Sequence, residues 1–212
     1  MFYREISIPI DGVRLTGDLH MPKGAKSLII FSHGSGSSRL SSRNQQVASY
    51  LQKKGIATLL FDLLTPEEDL NKANRFDISL LTKRLLQVTK WLEDYSATQG
   101  IALGYFGAST GAACALTAAA KLPQIFAVVS RGGRPDLAAD DLSKIKIPVL
   151  LIVGSKDIEV LELNRMAFDK MLCKKELAIV PGATHLFEEE GCMEKVADLA
   201  YNWFNAHRPL LK

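Results

Sequence analysis

The sequence predicts an α/β fold with a mostly parallel central sheet and one domain spanning residues 1–212. Apolar runs of strand length alternate along the chain with segments of helical periodicity. The apolar runs are continuous, as in strands that are covered on both faces by helices. The length of 212 residues and a hydrophobic fraction of 47% are sufficient for a sizeable core. Ligand sites in such sheets form at the carboxyl ends of the strands.

The strands are predicted from these runs and from turn signals. Residues 4–22 read as an antiparallel N-terminal hairpin that turns at Asp11-Gly12. The remaining strands are predicted for SLIIFSHG (27–34), IATLLFD (56–62), IALGYF (101–106), IFAVVS (125–130), PVLLIVG (148–154) and ELAIVPG (176–182).

Helices are predicted between the strands, on both faces of the sheet, with right-handed crossovers. In residues 78–95 the apolar positions recur at helical spacing on one face. The other predicted helices are 41–55, which stops at Gly55, 110–122, 159–172 and a C-terminal helix with Val196, Leu199, Ala200, Trp203 and Phe204 on one face.

Composition excludes several classes of protein. The net charge is only +3 and the 26 Lys and Arg residues form no basic block, so nucleic-acid binding is not expected. No apolar run approaches the roughly 20 residues of a membrane helix, and the N-terminus lacks the apolar core of a signal peptide. Three cysteines without CxxC spacing indicate neither disulfides nor a zinc site. We therefore expect a reduced, cytoplasmic protein, either a monomer or a homodimer, that acts on a small molecule.

The segment GASTG, residues 107–111, stands where a predicted strand meets a predicted helix. It matches G-x-S-x-G, in which a serine projects from a sharp turn and glycines avoid collisions with the adjoining strand and helix. Ser109 is the predicted nucleophile. Cys114, one helical turn further on, is the rival, but a small buried cysteine is the usual explanation in such a helix.

A serine nucleophile needs a general base, and the chain has four histidines. His20 ends the second hairpin strand, His207 lies near the C-terminus, and His33 adjoins the loop after the first parallel strand. His185 follows the last strand directly, in GATHLF, and is the predicted base.

The base needs a carboxylate on its other ring nitrogen. Asp157 follows the next-to-last strand in VGSKD, whereas Asp136, Asp140 and Asp141 are crowded in the preceding loop. Asp157 is the predicted acid. The chain order serine, aspartate, histidine is the order expected for an α/β-hydrolase.

An acyl intermediate also needs two hydrogen-bond donors for its oxyanion. The backbone N–H of Thr110, directly after the nucleophile, is one candidate. The N–H of Ser35, in the glycine-rich loop HGSGSS, is the other.

On these residues the chain resembles the α/β-hydrolases and, among them, the small dienelactone-hydrolase-like proteins without a cap domain. The resemblance rests on HGSGSS, LLFDLLT, GASTG, SRGGRPD, VGSKD and GATHLF, and it spans nearly the whole chain. It implies hydrolysis of esters or lactones without a cofactor or a metal. Dienelactone hydrolases proper use a cysteine nucleophile where this chain has Ser109, so dienelactone itself is not an expected substrate.

The substrate is expected to be small, because the 17 residues from Arg131 to Ile147 are too few for a cap. Short esters, thioesters or lactones suit such an open site. Arg131 and Arg134 in SRGGRPD, together with Arg39, predict contact with a negatively charged substrate. Their alternative role is to pair with carboxylates of the loops. The alternative function is that of a protein with the α/β-hydrolase fold that binds a ligand without catalysing a reaction.

Overall fold

The computed structural model describes residues 2–209, and these form an eight-stranded sheet with the order β1-β2-β4-β3-β5-β6-β7-β8. Strand β2 pairs antiparallel with β1 and β4, and every other pair is parallel. The prediction of a mostly parallel sheet with an N-terminal hairpin is therefore confirmed. The strands are β1 Phe2–Ile10, β2 Val13–Met21, β3 Ser27–Ser32, β4 Ala57–Phe61, β5 Ala102–Ala108, β6 Val128–Arg131, β7 Val149–Gly154 and β8 Lys175–Val180.

Helices cover both faces of this sheet, as predicted. They are α1 Ser42–Lys53, α2 Pro66–Asp69, α3 Ile78–Asp94, α4 Thr110–Lys121, α5 Ile158–Lys170 and α6 Cys192–His207. Helices α1 and α6 bury their apolar residues in one core cluster, and α3, α4 and α5 contribute to a second cluster on the opposite face. The central strands are buried along their whole length, which explains their continuous apolar runs. Within residues 2–209 no helix is long and apolar enough to cross a membrane.

The connection after β4 contains structure that the periodicity of the sequence does not predict. It folds into the short helix α2 and a 3₁₀ helix, Lys72–Phe76. Thr65 and Glu68 form a reciprocal capping box at the start of α2, and the buried Arg84 of α3 holds Glu68 at 2.5 Å. This segment is therefore anchored to α3.

The connection between β6 and β7 contains no cap domain, as its length predicts. It forms two 3₁₀ helices, Pro135–Ala138 and Leu142–Lys144.

Candidate active site

The candidate residues lie on loops that leave the carboxyl ends of five parallel strands. Ser35 follows β3, Ser109 follows β5, Arg131 ends β6, Asp157 follows β7 and His185 follows β8. Because all these strands run in the same direction, their loops meet at one edge of the sheet.

Ser109 adopts a backbone conformation that L-residues rarely adopt, with φ 52° and ψ −122°. The two glycines around it are required by close packing. A Cβ on Gly107 would lie 2.5 Å from Ala112 Cα, and a Cβ on Gly111 would lie 2.2 Å from the Ser32 carbonyl oxygen. The turn between β5 and α4 thus has the strained form that the GASTG segment predicts.

Asp157 and His185 are directly bonded: Asp157 Oδ2 lies 2.6 Å from His185 Nδ1. Asp157 is the N-terminal capping residue of α5, but its carboxylate makes no capping hydrogen bond and turns to the imidazole. Its side chain is 13% exposed and that of His185 is 39% exposed. The imidazole Nδ1 is the donor in this contact when Asp157 is ionised, which leaves Nε2 as an acceptor.

Close packing between neighbouring loops holds this pair in place. A Cβ on Gly154 would lie 2.3 Å from the Ala183 carbonyl oxygen, so the loops after β7 and β8 touch. The Lys156 N–H donates to the Ala183 carbonyl at 2.9 Å, and the Gly182 N–H donates to Ser155 Oγ at 2.8 Å. Asp157 and His185 are therefore positioned by backbone contacts on either side of them.

Ser109 and His185 line the same pocket, which has a volume of about 290 Å³. The loop after β6 forms one of its walls. The Ser109 N–H donates to the Arg131 carbonyl at 3.1 Å, and the Arg134 N–H donates to the Ser109 carbonyl at 3.1 Å. Gly132 lies against His185: a Cβ there would be 3.3 Å from the His185 carbonyl oxygen and 3.5 Å from the imidazole. The pocket is lined by Gly34, Ser35, Ser37, Ser41, Arg43, Asn44, Ala108, Ser109, Arg131, His185 and Leu186.

The loop after β3 lies against the nucleophile. A Cβ on Gly34 would be 3.1 Å from Ser109 Cβ. The Ser35 N–H donates to Thr110 Oγ1 at 2.8 Å, a contact that joins this loop to the start of α4. The two predicted oxyanion donors thus belong to residues that contact each other beside Ser109, but the Ser35 N–H already donates to Thr110. That the Ser35 N–H binds an oxyanion stays a prediction.

His33 orders this loop through contacts of both of its ring nitrogens. The Leu63 N–H donates to His33 Nε2 at 3.1 Å, so Nδ1 carries the proton and donates to the Gly34 carbonyl at 3.0 Å. Burial lowers the pKa of His33 below its ordinary value and favours the neutral imidazole. This histidine links the loops after β3 and β4.

The remaining alternatives lie away from the pocket. Cys114 is fully buried in α4, and burial raises the pKa of its thiol to about 12, so it is neither exposed nor ionised at neutral pH. His20 lies in β2 opposite Thr58 of β4, and His207 Nδ1 bonds to the Trp203 carbonyl at the end of α6. Asp141 pairs with Lys144.

Arg131 is the one predicted substrate-binding arginine that lines the pocket. Arg131 is 7% exposed. Within the described part of the chain, its Nε has no hydrogen-bond partner and its guanidinium forms no ion pair. Its guanidinium carbon lies 5.8 Å from the centre of the Phe187 ring. Burial, and then the charge of Arg43, lower the pKa of Arg131 to about 10. The group remains charged at neutral pH.

The structure gives Arg39 and Arg134 other partners, which corrects the prediction for both. Arg134 forms a two-pronged contact with Asp136 at 2.9 and 2.7 Å. Arg39 bonds to Asp62 at 2.7 Å and also contacts Asp18 and Glu5. Neither arginine lines the pocket of Ser109. Their carboxylate partners neutralise them within the loops.

Arg43 and Asn44 are among the pocket residues that are absent from the sequence-based candidates. Arg43 and Asn44 lie in the first turn of α1 and line the pocket. Asn44 is 2% exposed, and its Oδ1 has no partner. The signal for them is positional: α1 starts just after the loop of Ser35, so its first turn also lies at the carboxyl edge of the sheet. Among the described residues, no cluster of three or more His, Cys, Asp or Glu side chains is suited to hold a metal ion.

The strand order and the strained turn between β5 and α4 are those of an α/β-hydrolase fold. A sequence profile of the dienelactone hydrolase family matches residues 15–207, and the chain belongs to this family. The resemblance inferred from the motifs is confirmed.

Individual proteins agree with this assignment. The crystal structure of a dienelactone hydrolase from Anabaena variabilis is 49% identical, with a TM-score of 0.95 over 98% of this chain and 99% of that one. A protein of Mycobacterium tuberculosis that is named as a phosphoribosyl transferase is 53% identical over 204 residues. That match covers 96% of this chain but 46% of the relative, so the chain spans about half of that protein's length. A Bradyrhizobium protein named as a 2-oxo-3-(5-oxofuran-2-ylidene)propanoate lactonase is 29% identical over 168 residues, 68% of this chain and 67% of that protein.

Proposed function

We propose that the protein is a serine hydrolase that cleaves ester-type bonds of small anionic acyl substrates through an acyl-enzyme intermediate. The observation that carries the proposal is one pocket shared by a strained Ser109 and by His185, whose Nδ1 lies 2.6 Å from Asp157. A nucleophile, a base and a group that orients the base are the parts that acyl transfer requires.

In the proposed reaction, Ser109 Oγ attacks the acyl carbon while His185 Nε2 accepts its proton. Asp157 holds the imidazole in the productive tautomer and stabilises the imidazolium that forms. His185 then donates the proton to the leaving alcohol, and the C–O bond of the ester breaks. A water molecule, deprotonated by His185, attacks the acyl-enzyme and releases the acid and free Ser109.

The oxyanion would be held at the start of α4. The Thr110 N–H stands in the first turn of this helix, where backbone N–H groups have no intrahelical acceptor and the helix dipole favours negative charge. The Ser35 N–H is the proposed second donor. To serve, it must exchange Thr110 Oγ1 for the substrate oxygen, so its contribution appears only once substrate is bound.

An anionic substrate is proposed because Arg131 is a buried charge that has no carboxylate partner among the described residues. Burial of an unpaired guanidinium is costly, and the contact with the Phe187 ring offsets only part of that cost. Phe187 itself is fully buried in a left-handed conformation, φ 57°, which is unfavourable for an aromatic residue. A substrate carboxylate would supply the missing partner and bind the planar guanidinium through two hydrogen bonds.

The relatives support the same chemistry to different degrees. The name of the Bradyrhizobium protein denotes a lactone that bears a carboxylate. The Anabaena structure, which is named as a dienelactone hydrolase, matches this chain over almost the whole length of both. The transferase name belongs to a protein about twice as long, of which this chain matches 46%. We therefore do not transfer that activity to this chain.

Labelling with a fluorophosphonate probe tests the proposal, because the probe reacts only with an activated serine. We expect stoichiometric labelling of the wild type and of Cys114→Ala, with the adduct on the peptide that contains Ser109, and no labelling of Ser109→Ala. A ligand-binding protein without catalytic activity would remain unlabelled, and that outcome would favour the alternative function.

A further inference from the structure

Arg43 borders two pockets at once. It lines the pocket of Ser109 and His185, and it also lines an outer cleft of about 390 Å³ that contains Glu188, Glu189, Glu190 and Glu194. This guanidinium therefore stands between an anion-accepting pocket and an acidic surface.

Arg43 is held from the acidic side in the structure. Its Nη1 donates to Glu188 Oε1 at 2.8 Å, and the side chains are 31% and 62% exposed, respectively. Its Nε is buried without a partner. An ion pair this exposed contributes little and is readily exchanged for another anion.

Arg43 shares the pocket of Ser109 with a second cation, Arg131. Like charges that line one pocket repel each other, and the charge of Arg43 contributes, after burial, to the lowered pKa of Arg131. An anion bound in the pocket would reduce that repulsion and could engage both groups. Of these two arginines, only Arg43 pairs with a carboxylate in the part of the chain that the structure describes.

Glu188 is the only one of the four glutamates in the cleft that pairs with Arg43 in the described structure. Both oxygens of Glu189 accept from the Thr184 N–H, and Glu194 accepts from Gln46 at 2.9 Å. The Glu189 contact also closes the loop that carries His185. This loop therefore keeps an anchor of its own when Arg43 leaves Glu188.

We propose that Glu188 sets the affinity of the pocket for anionic substrates by competing with them for Arg43. An incoming carboxylate draws Arg43 from Glu188 and binds it together with Arg131. Because only the fraction of Arg43 that is free of Glu188 is competent to bind, the internal carboxylate weakens the apparent affinity and leaves neutral substrates unaffected. This inference rests on the proposed anion-binding function of the pocket and names a residue that tunes it.

The test measures binding without turnover. All variants carry Ser109→Ala, and calorimetry gives the dissociation constants of two probes: the para-nitrophenyl monoester of adipic acid and the matching ester of its monoamide. The probes differ in one charge and are nearly identical in shape. Hydrolysis of the monoamide ester by the protein with Ser109 intact is measured in parallel, so a failure of the proposed hydrolase activity is visible separately.

Glu188→Gln is expected to tighten binding of the charged ester by about twofold to fivefold, the range of an exposed ion pair, without changing binding of the monoamide ester. Arg43→Gln should weaken binding of the charged ester. In the Arg43→Gln background, Glu188→Gln should have no further effect, because the competition requires Arg43.

Glu190→Gln is the matched control, since it removes the same charge from the same cleft without removing a partner of Arg43. Equal tightening by Glu190→Gln would mean that Glu188 acts only through the general field, and would overturn the proposal. Persistence of the Glu188→Gln effect in the Arg43→Gln background, or weaker binding after Glu188→Gln, would overturn it as well.

Discussion

Two arginines at the same edge of the sheet have opposite surroundings. Arg39, after β3, contacts the carboxylates of Glu5, Asp18 and Asp62 and so ties the N-terminal hairpin to the loop after β4. Arg131, at the end of β6, is more deeply buried and contacts no carboxylate among residues 2–209. The same residue type is thus structural in one loop and available to a ligand in the other. The comparison shows that the role of an arginine follows from the groups that it contacts and not from its position after a strand.

The largest effect is expected from removal of the proposed nucleophile, Ser109, which lines the same pocket as Arg131. Ser109→Ala should lower kcat by several orders of magnitude, because the members of a catalytic triad act as a unit. Only one oxygen is lost, so the melting temperature should stay near that of the wild type. Steady-state hydrolysis of the monoamide ester checks this, with Cys114→Ala as the control. Substantial turnover by a Ser109→Ala/Cys114→Ala double variant would exclude Ser109 as the nucleophile.

Asp157→Asn should lower kcat by about 10⁴-fold, because an amide favours the wrong imidazole tautomer. The control is Asp141→Asn, which removes a carboxylate that pairs with Lys144 in the neighbouring loop. Both are measured with the same neutral ester. A loss with Asp141→Asn as large as that with Asp157→Asn would place the acid in the loop after β6.

Arg131→Gln should reduce kcat/KM for the charged adipate ester selectively, by about 1.5–3 kcal/mol for a lost hydrogen bond to a charged group. Hydrolysis of the monoamide ester should change little. Arg134→Gln provides the matched control, because Arg134 lies in the same loop but is paired with Asp136. Equal losses on both esters, together with a lower melting temperature, would make Arg131 a structural residue like Arg39.

Arg39→Gln tests the other half of the comparison. It should lower the free energy of unfolding by about 1–2 kcal/mol, since the hydrogen bonds of a partly buried, charged group are lost. The ratio of kcat/KM for the charged and neutral esters should remain that of the wild type. Urea unfolding and the two kinetic assays measure this, and a change in the ratio without loss of stability would return Arg39 to the substrate site.

His33 gives the smallest expected effect, a dependence of stability on pH. Its pKa is lowered in the folded protein, so the unfolded chain binds more protons, and its contribution to stability is present above pH 6.5 and is lost as the pH falls. The slope cannot exceed about 1.4 kcal/mol per pH unit for one proton. Urea unfolding between pH 7 and 5 should show a slope that is smaller in His33→Gln. An unchanged slope would mean that His33 does not titrate on unfolding.

The sequence predicts the fold well because the sheet is buried on both faces. Continuous apolar runs such as that of β7 are unambiguous, and strands β3 to β7 are each followed by a glycine or a polar residue. The same logic predicts the positions of Ser109, Asp157 and His185, since adjacent parallel strands deliver their loops to one edge. The region after β4 escapes prediction because α2 is four residues long and depends on its capping box and on Arg84.

The sequence does not predict which groups the charged side chains contact. The contacts of Arg39 join residues up to 34 positions apart, and Arg43 pairs with Glu188 across 145 positions. Such distances depend on the closed fold, so a local pattern such as SRGGRPD cannot distinguish the free Arg131 from the paired Arg134. Only the local Arg134–Asp136 pair, two residues apart, is foreseeable from the sequence as an alternative.

The most direct measurement mixes the wild-type protein with the para-nitrophenyl monoester of adipic acid, stops the reaction in acid during the burst, and maps the adduct by mass spectrometry. We predict an adipoyl group on the peptide that contains Ser109, formed faster than the corresponding adduct from the monoamide ester in the wild type and at similar rates from both esters in Arg131→Gln. Absence of an acyl adduct on that peptide, or an adduct on another residue, would contradict the account.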